Sequence, residues 1–125
     1  DAFKVALFKA NASITGTFGA ATTNYSEMTG SSDELAATGG YTTGGFALTN
    51  VNPTSTGTTA FTDFSANASW TSATFTTRGC LIYNTSDSNS AVAVIDFGAD
   101  YSVSGGTFEI QWPAADSTNA IIRIA

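Results

Sequence analysis

The side chains in this sequence that could do chemistry are ten Asp and Glu, four Lys and Arg and one cysteine, with no histidine. Lack of histidine removes the commonest general base and the commonest transition-metal ligand, and leaves the Cys80 thiol as the only soft ligand. What remains is carboxylate chemistry, which needs two acids converging on a cleft. Asp63, Asp87, Asp96, Asp100, Glu109 and Asp116 instead come one per turn or strand, and read as solvated turn residues bonding their own backbone. Asp96-Phe97-Gly98 matches the letters of the kinase magnesium motif and nothing else of it. Asp87 opens a stretch like a calcium loop, but the glycine position holds Val92 and the final bidentate position Gly98, which excludes an EF-hand and leaves an irregular site open. No cofactor is expected.

Other polar and aromatic groups admit two readings each. Arg78 stands mid-strand beside Gly79, where a guanidinium is costly unless paired. It either pairs with an acid such as Asp96 or reaches across a subunit boundary. Trp70, Trp112, Tyr41, Tyr83 and Tyr101 could include a sugar-stacking platform, but aromatics at strand ends read first as core or interface plugs. Asp33 and Glu34, with Glu27, lie close to Tyr25, Met28 and Tyr41 in a long loop. That loop is either a contact surface or a surface excursion pinned by Tyr41. Cys80 reads as a small buried apolar residue. Asn11, Asn24, Asn67 and Asn84 each open an N-x-Ser/Thr triplet, which a chain this rich in Ser and Thr produces by chance.

The elements that must position these groups are strands. The run 69–83 alternates, with Phe75, Gly79, Leu81 and Tyr83 on one face and Thr74, Thr76, Arg78, Cys80 and Ile82 on the other. The run 91–97 is apolar almost throughout, as in a strand covered on both faces. Joined by the polar loop 84–90, the two form an expected central hairpin. A first strand is expected at 3–8, and others at about 46–51, 58–64, 69–77, 78–83, 91–97, 107–112 and 120–124, which makes seven or eight. Residues 11–23, with Ile14 and Phe18 as isolated anchors, are a weak strand or an ordered loop. Turns are expected at 50–57, 65–68, 102–106 and 113–119. The sharpest hairpin signal is Ser104-Gly105-Gly106, because paired glycines supply the positive backbone angles of tight turns. In 107–112, Phe108, Ile110 and Trp112 point inward and Glu109 and Gln111 outward, before Pro113 ends the strand. The one helical turn is expected near 31–38, where Ser31 and Glu34 match a capping box and Gly39-Gly40 supplies a stop. The apolar C-terminus, AIIRIA, should be tied into the sheet or into a neighbouring subunit. The expected fold is all-β, an antiparallel β-sandwich or jelly-roll-like arrangement, in a single domain spanning 1–125.

Composition narrows the function classes. At 125 residues and 42% apolar, the chain can bury a core without staples. A net charge of −6 argues against phosphate tracking on nucleic acid and against anionic membranes, and no run approaches the ~18 apolar residues of a membrane span. Charged residues are only 11% of the chain, well under the roughly 25% usual in soluble domains. A surface of hydroxyls and small side chains suits close packing against other proteins, since few long side chains must be ordered when a partner docks. The sequence opens at Asp1 rather than methionine, so residues ahead of it are expected.

The runs YTTGGFALTN from Tyr41, WTSATFTTRGCLIYN from Trp70, AVAVIDFG from Ala91 and GTFEIQWPAADSTNAIIRIA from Gly106, with the opening FKVALF, resemble a group of small virion structural proteins of tailed bacteriophages. The resemblance extends over roughly two thirds of the chain, from Tyr41 onward, and its motifs are strands and turns rather than chemical signatures. The resemblance implies a capsid cement or decoration protein: a β-rich module, commonly trimeric, on the exterior of the assembled shell. Its implied partners are the major capsid protein and other copies of itself, and it carries over no catalytic residue. A tail, fibre or knob subunit is the related alternative. A carbohydrate-binding module and a small carboxylate hydrolase are the alternatives from other classes.

Overall fold

The computed structural model describes residues 1–10 and 19–125. The expectations that fall on Asn11, Ile14 and Phe18 lie outside the described residues. The chain is all-β and sandwich-like, with strands β1 (Phe3–Lys9), β2 (Phe46–Ala47), β3 (Thr54–Thr56), β4 (Thr59–Thr62), β5 (Ala68–Asn84), β6 (Ser90–Ile110) and β7 (Ile122–Ile124), and one short helix, α1 (Tyr25–Gly30). They form a four-stranded sheet in the order β2-β1-β5-β6 and a three-stranded sheet in the order β3-β4-β7, all pairs antiparallel.

The core is the pair β1 and β5. Val5, Ala6, Leu7 and Phe8 are fully buried, and so are Cys80 and Leu81. One face of the sheet gathers Val5, Leu7, Cys80 and Ile82 with Tyr41 and Trp70. The other gathers Ala6, Phe8, Leu81 and Tyr83 with Met28 from α1. The continuous apolar run in β1 therefore answers to two covered faces, and each of its large side chains contributes about 1.5–3 kcal/mol by leaving water.

The expected hairpin is present, but larger than its two runs. β5 is one strand of 17 residues, not separate strands at 69–77 and 78–83. β6 runs for 21 residues straight through Ser104-Gly105-Gly106, so the expected hairpin turn at 102–106 is absent. Gly105 has φ 64°, yet it serves a bulge: Thr74 pairs with Ser104 and Ala73 with Gly106, leaving Gly105 unopposed. Its N–H donates to Thr74 Oγ1 at 3.0 Å. A bulge glycine and a turn glycine have the same backbone sign, so local sequence does not separate them. A second bulge sets Arg78 alone against Phe97, Gly98, Ala99 and Asp100, since Thr77 pairs with Tyr101 and Gly79 with Asp96. β6 is also the sheet's edge. Its apolar side chains are half-buried or exposed, which corrects the reading of 91–97 as covered on both faces. Phe108, Ile110 and Trp112 are half-buried while Glu109 and Gln111 face solvent, as the alternation implied.

The helix also moves. It occupies Tyr25–Gly30 rather than 31–38, because a better cap lies upstream. The Asn24 side chain accepts the Ser26 N–H at 2.9 Å, and Glu27 reaches back to the Thr23 N–H at 3.0 Å and the Thr23 hydroxyl at 2.6 Å. Gly39 and Gly40 are close-approach residues instead of helix stops: a Cβ on Gly39 would sit 1.9 Å from Thr74 O. The region 50–57, read as a turn, contains β3, which forms a hairpin with β4 around Gly57 at φ 60°. The C-terminus is tied into this sheet, with Thr62 opposite Ile122 and Ala60 opposite Ile124.

Gly45 offers a direct test. It has φ 79°, and a Cβ there would lie 1.9 Å from Val5 O. Gly45→Ala is expected to cost at least about 2 kcal/mol, read as a lower urea midpoint. Gly30→Ala, with nothing within 4 Å of its Cβ position, should be neutral or stabilising by up to about 1 kcal/mol. Equal effects of the two changes would refute the close-approach account.

Candidate functional site

The densest polar cluster forms because β1 needs more backbone partners than β2 supplies. β2 pairs only with Lys4 and Val5, while β1 runs on to Lys9. A buried N–H left unpaired costs about 1–3 kcal/mol, so the loop before β2 folds along the same edge. The Lys9 N–H donates to Asp33 O at 2.9 Å and the Leu35 N–H to Leu7 O at 2.8 Å. The Leu7 N–H meets a side chain instead, donating to the Tyr41 hydroxyl oxygen at 3.1 Å. This requirement also explains why 31–38 is not helical: Leu35 must be extended to reach β1.

Glu34 holds that arrangement together. Its Oε1 accepts the Tyr41 hydroxyl at 2.8 Å and the Gly44 N–H at 2.7 Å, and its Oε2 accepts the Tyr25 hydroxyl at 2.7 Å. The Tyr83 hydroxyl donates to Gly44 O at 2.7 Å, and the Tyr25 and Tyr83 rings stack at 4.5 Å and 9°. Burial, followed by the Glu34 hydrogen bond and charge, raises the Tyr25 pKa, and burial is again the first cause for Tyr41, whose pKa is also raised. Tyr83 is pushed up to about 12, by burial first and then by Glu34. These phenols therefore stay protonated, Tyr25 and Tyr41 as donors to Glu34 and Tyr83 as a donor to Gly44 O, and none is poised to exchange a proton near neutral pH. The cluster acts as a clip between the loop and the central strands.

The other residues singled out from sequence lie apart from this clip or only touch it. Asp33 is 2% exposed, with Lys9 Nζ at 3.9 Å from its carboxylate, so both loop acids turn into the chain's own fold. Arg78 pairs with Asp96, its Nε donating to Oδ1 at 3.1 Å. The same Oδ1 accepts the Gly98 N–H at 2.8 Å, so Asp96 fastens the bulge. Trp70 is 6% exposed and packs against Phe46, Tyr41 and Phe108. Trp112 packs on Phe64 at 5.3 Å, with its Nε1 buried and unpartnered among the described residues. Tyr101, by contrast, is 52% exposed.

The remaining carboxylates serve local backbone or side chains. Asp63 is buried and binds the N–H groups of Phe64 and Ile121. Asp116 is held below the usual carboxylate range, first by the Asn119 side chain and then by the Thr118 and Asn119 N–H groups. Glu109 is held low by Gln111 first and then Ser69. Among the described residues no group of three or more His, Cys, Asp or Glu could hold a metal ion. One feature gave no sequence signal: an apolar cleft of about 310 Å³ between the N-terminal strand and the smaller sheet, lined by Phe3, Val51, Pro53, Phe64, Val92 and Ile122. Its walls come from segments far apart in the chain. The role of Gly44-Gly45 was also missed, although two glycines ahead of an apolar strand could have signalled a close backbone approach.

The chain matches no protein-family model, no curated protein and no solved structure.

Tyr41→Phe should cost about 1–3 kcal/mol, because it removes the acceptor of a buried N–H. Tyr25→Phe should cost less, about 0.5–1.5 kcal/mol, since its hydroxyl is only half-buried and the nearby Gly44 N–H keeps Glu34 as an acceptor. Urea unfolding of both variants decides this, and a smaller loss for Tyr41→Phe would sink the clip. Stability should also fall at alkaline pH. Burial raises the Cys80 thiol from 9.0 to about 12, so its contribution is complete below pH 9 and is lost as pH rises to about 12, at about 1.4 kcal/mol per pH unit. The tyrosines add their own loss only above their ordinary 10.0. Cys80→Ala should therefore move the onset from about pH 9 to about pH 10, measured by urea midpoints across that range.

Proposed function

We propose that this chain is a bacteriophage structural protein, a capsid decoration or cement protein that binds the exterior of the assembled shell and braces it. The observation that carries the reading is how the polar groups are used. Glu34, Asp63, Asp96 and Asp116 all bind backbone N–H groups of their own chain, so the acids that could have done chemistry instead make the module rigid. What is left for partners is a surface rich in Thr, Ser, Ala and Gly, on a chain of which only 11% is charged, and such a surface loses little side-chain entropy on docking. The resemblance of the runs from Tyr41 onward to virion proteins of tailed phages supports the same role. The partners on this reading are the major capsid protein and further copies of the chain, most naturally as a trimer at a junction between capsomers. Burial of Trp70 and half-burial of Trp112 count against a sugar-stacking platform built on them.

The role predicts copy number. Quantitative mass spectrometry of purified virions, referenced to the major capsid protein, should find this chain in a simple integer ratio to the shell protein. A count typical of tails or fibres would move the chain to those structures, and absence from the particle would end the virion reading.

A further inference from the structure

The proposed docking reading leaves open which surface meets the shell, and one strand edge is built for a particular kind of partner. β6 is the outer strand of the larger sheet. Among the described residues, no strand or loop backbone bonds to its outer edge over residues 101–110. An edge strand presents alternate N–H and C=O groups to whatever lies beside it, and those groups are satisfied by water or by another strand. Edges are blunted with charged residues, especially lysine, with proline or with bulges. β6 has no lysine or proline, and within 101–110 it carries one bulge, at Gly105.

A second feature lies along the same stretch. Phe97, Tyr101, Phe108, Glu109 and Ile110 line an open depression of about 270 Å³, and Tyr101 at its margin is 52% exposed. Between the ends of the depression stand Ser102, Ser104, Gly105, Gly106 and Thr107, small enough to let another backbone approach. An open ladder beside a pocket for one apolar side chain is the arrangement by which strand addition combines affinity with specificity. Charge selects the occupant. Within 101–110 the one charged residue is Glu109, and β6 has no Lys or Arg, in a chain of net charge −6. A second copy would add the same net negative charge beside the edge, whereas a basic segment would be complementary.

We propose that residues 101–110 of β6 receive an extended basic segment of the shell protein as an added strand, with one apolar side chain seated among Phe97, Tyr101, Phe108 and Ile110. This inference rests on the shell-binding role and specifies its contact.

The test binds the intact chain to shells assembled from the major capsid protein alone, and follows backbone amide exchange. Bound chain should show at least about tenfold slower exchange within residues 101–110. Tyr101→Lys and Glu109→Lys should each weaken binding at least about tenfold while thermal unfolding shows each variant still folded at the assay temperature. Tight binding with no new protection in 101–110, or with both variants binding normally, overturns the strand-addition contact and leaves the decoration role standing. Failure of the unmodified chain to bind any shell overturns the role and the contact together. Protection of 101–110 in free chain at high concentration, with a dimer in sedimentation, assigns the edge to a second copy and also overturns the proposal.

Discussion

Everything in this structure depends on satisfying the backbone of β1. Its residues from Val5 to Phe8 are fully buried, with apolar side chains packed on both faces of the sheet. Water cannot reach those peptide groups, so each needs a partner within the chain. β5 supplies one side of the ladder along the whole strand. The other side is assembled from β2, the Tyr41 hydroxyl and the backbone of Asp33 and Leu35. Glu34 makes this patchwork possible, because one carboxylate accepts the hydroxyls of Tyr25 and Tyr41 and the Gly44 N–H together. Of the two readings of this loop, the pin by Tyr41 is present, and the pinned loop serves β1 as a substitute edge strand.

The same economy shapes the long hairpin. β5 and β6 pair over nearly their whole lengths, but their register breaks at several places. Three of the four breaks fall where small residues take positive φ: Ser72 in β5, and Gly98 and Gly105 in β6. The two in β6 are fastened locally. Asp96 holds the Gly98 N–H and Arg78, and Thr74 holds the Gly105 N–H. Bulges raise the local twist of a strand, and across this hairpin Trp70, Phe75 and Phe108 pack together on the core.

Function follows from where the polar groups go. Glu34, Asp63, Asp96 and Asp116 hold loops, strand ends, bulges and turns, and Tyr25, Tyr41 and Tyr83 stay protonated as donors. The chain's outward resources are hydroxyls, small side chains, a surplus of negative charge and the open edge of β6.

The sequence by itself determined the all-β class, the place of the main hairpin, the buried character of Cys80 and the absence of histidine chemistry. The Arg78–Asp96 pair was legible as one of two options, because the two residues sit on neighbouring strands of that hairpin. These follow from period-two alternation, composition and short-range spacing, which are local properties. Tertiary structure alone decided which glycines turn, which bulge and which permit close approach, because all three uses share one backbone sign. It decided that β6 is an edge, since an apolar run reads the same whether one face or two is covered. It also decided the partners of Glu34 and Tyr41. The Tyr41 hydroxyl meets a backbone N–H 34 residues earlier in the chain, and no periodicity reports a hydrogen bond made over that distance. That bond exists only because β1 is buried and short of partners, a condition that arises once the whole sheet has assembled.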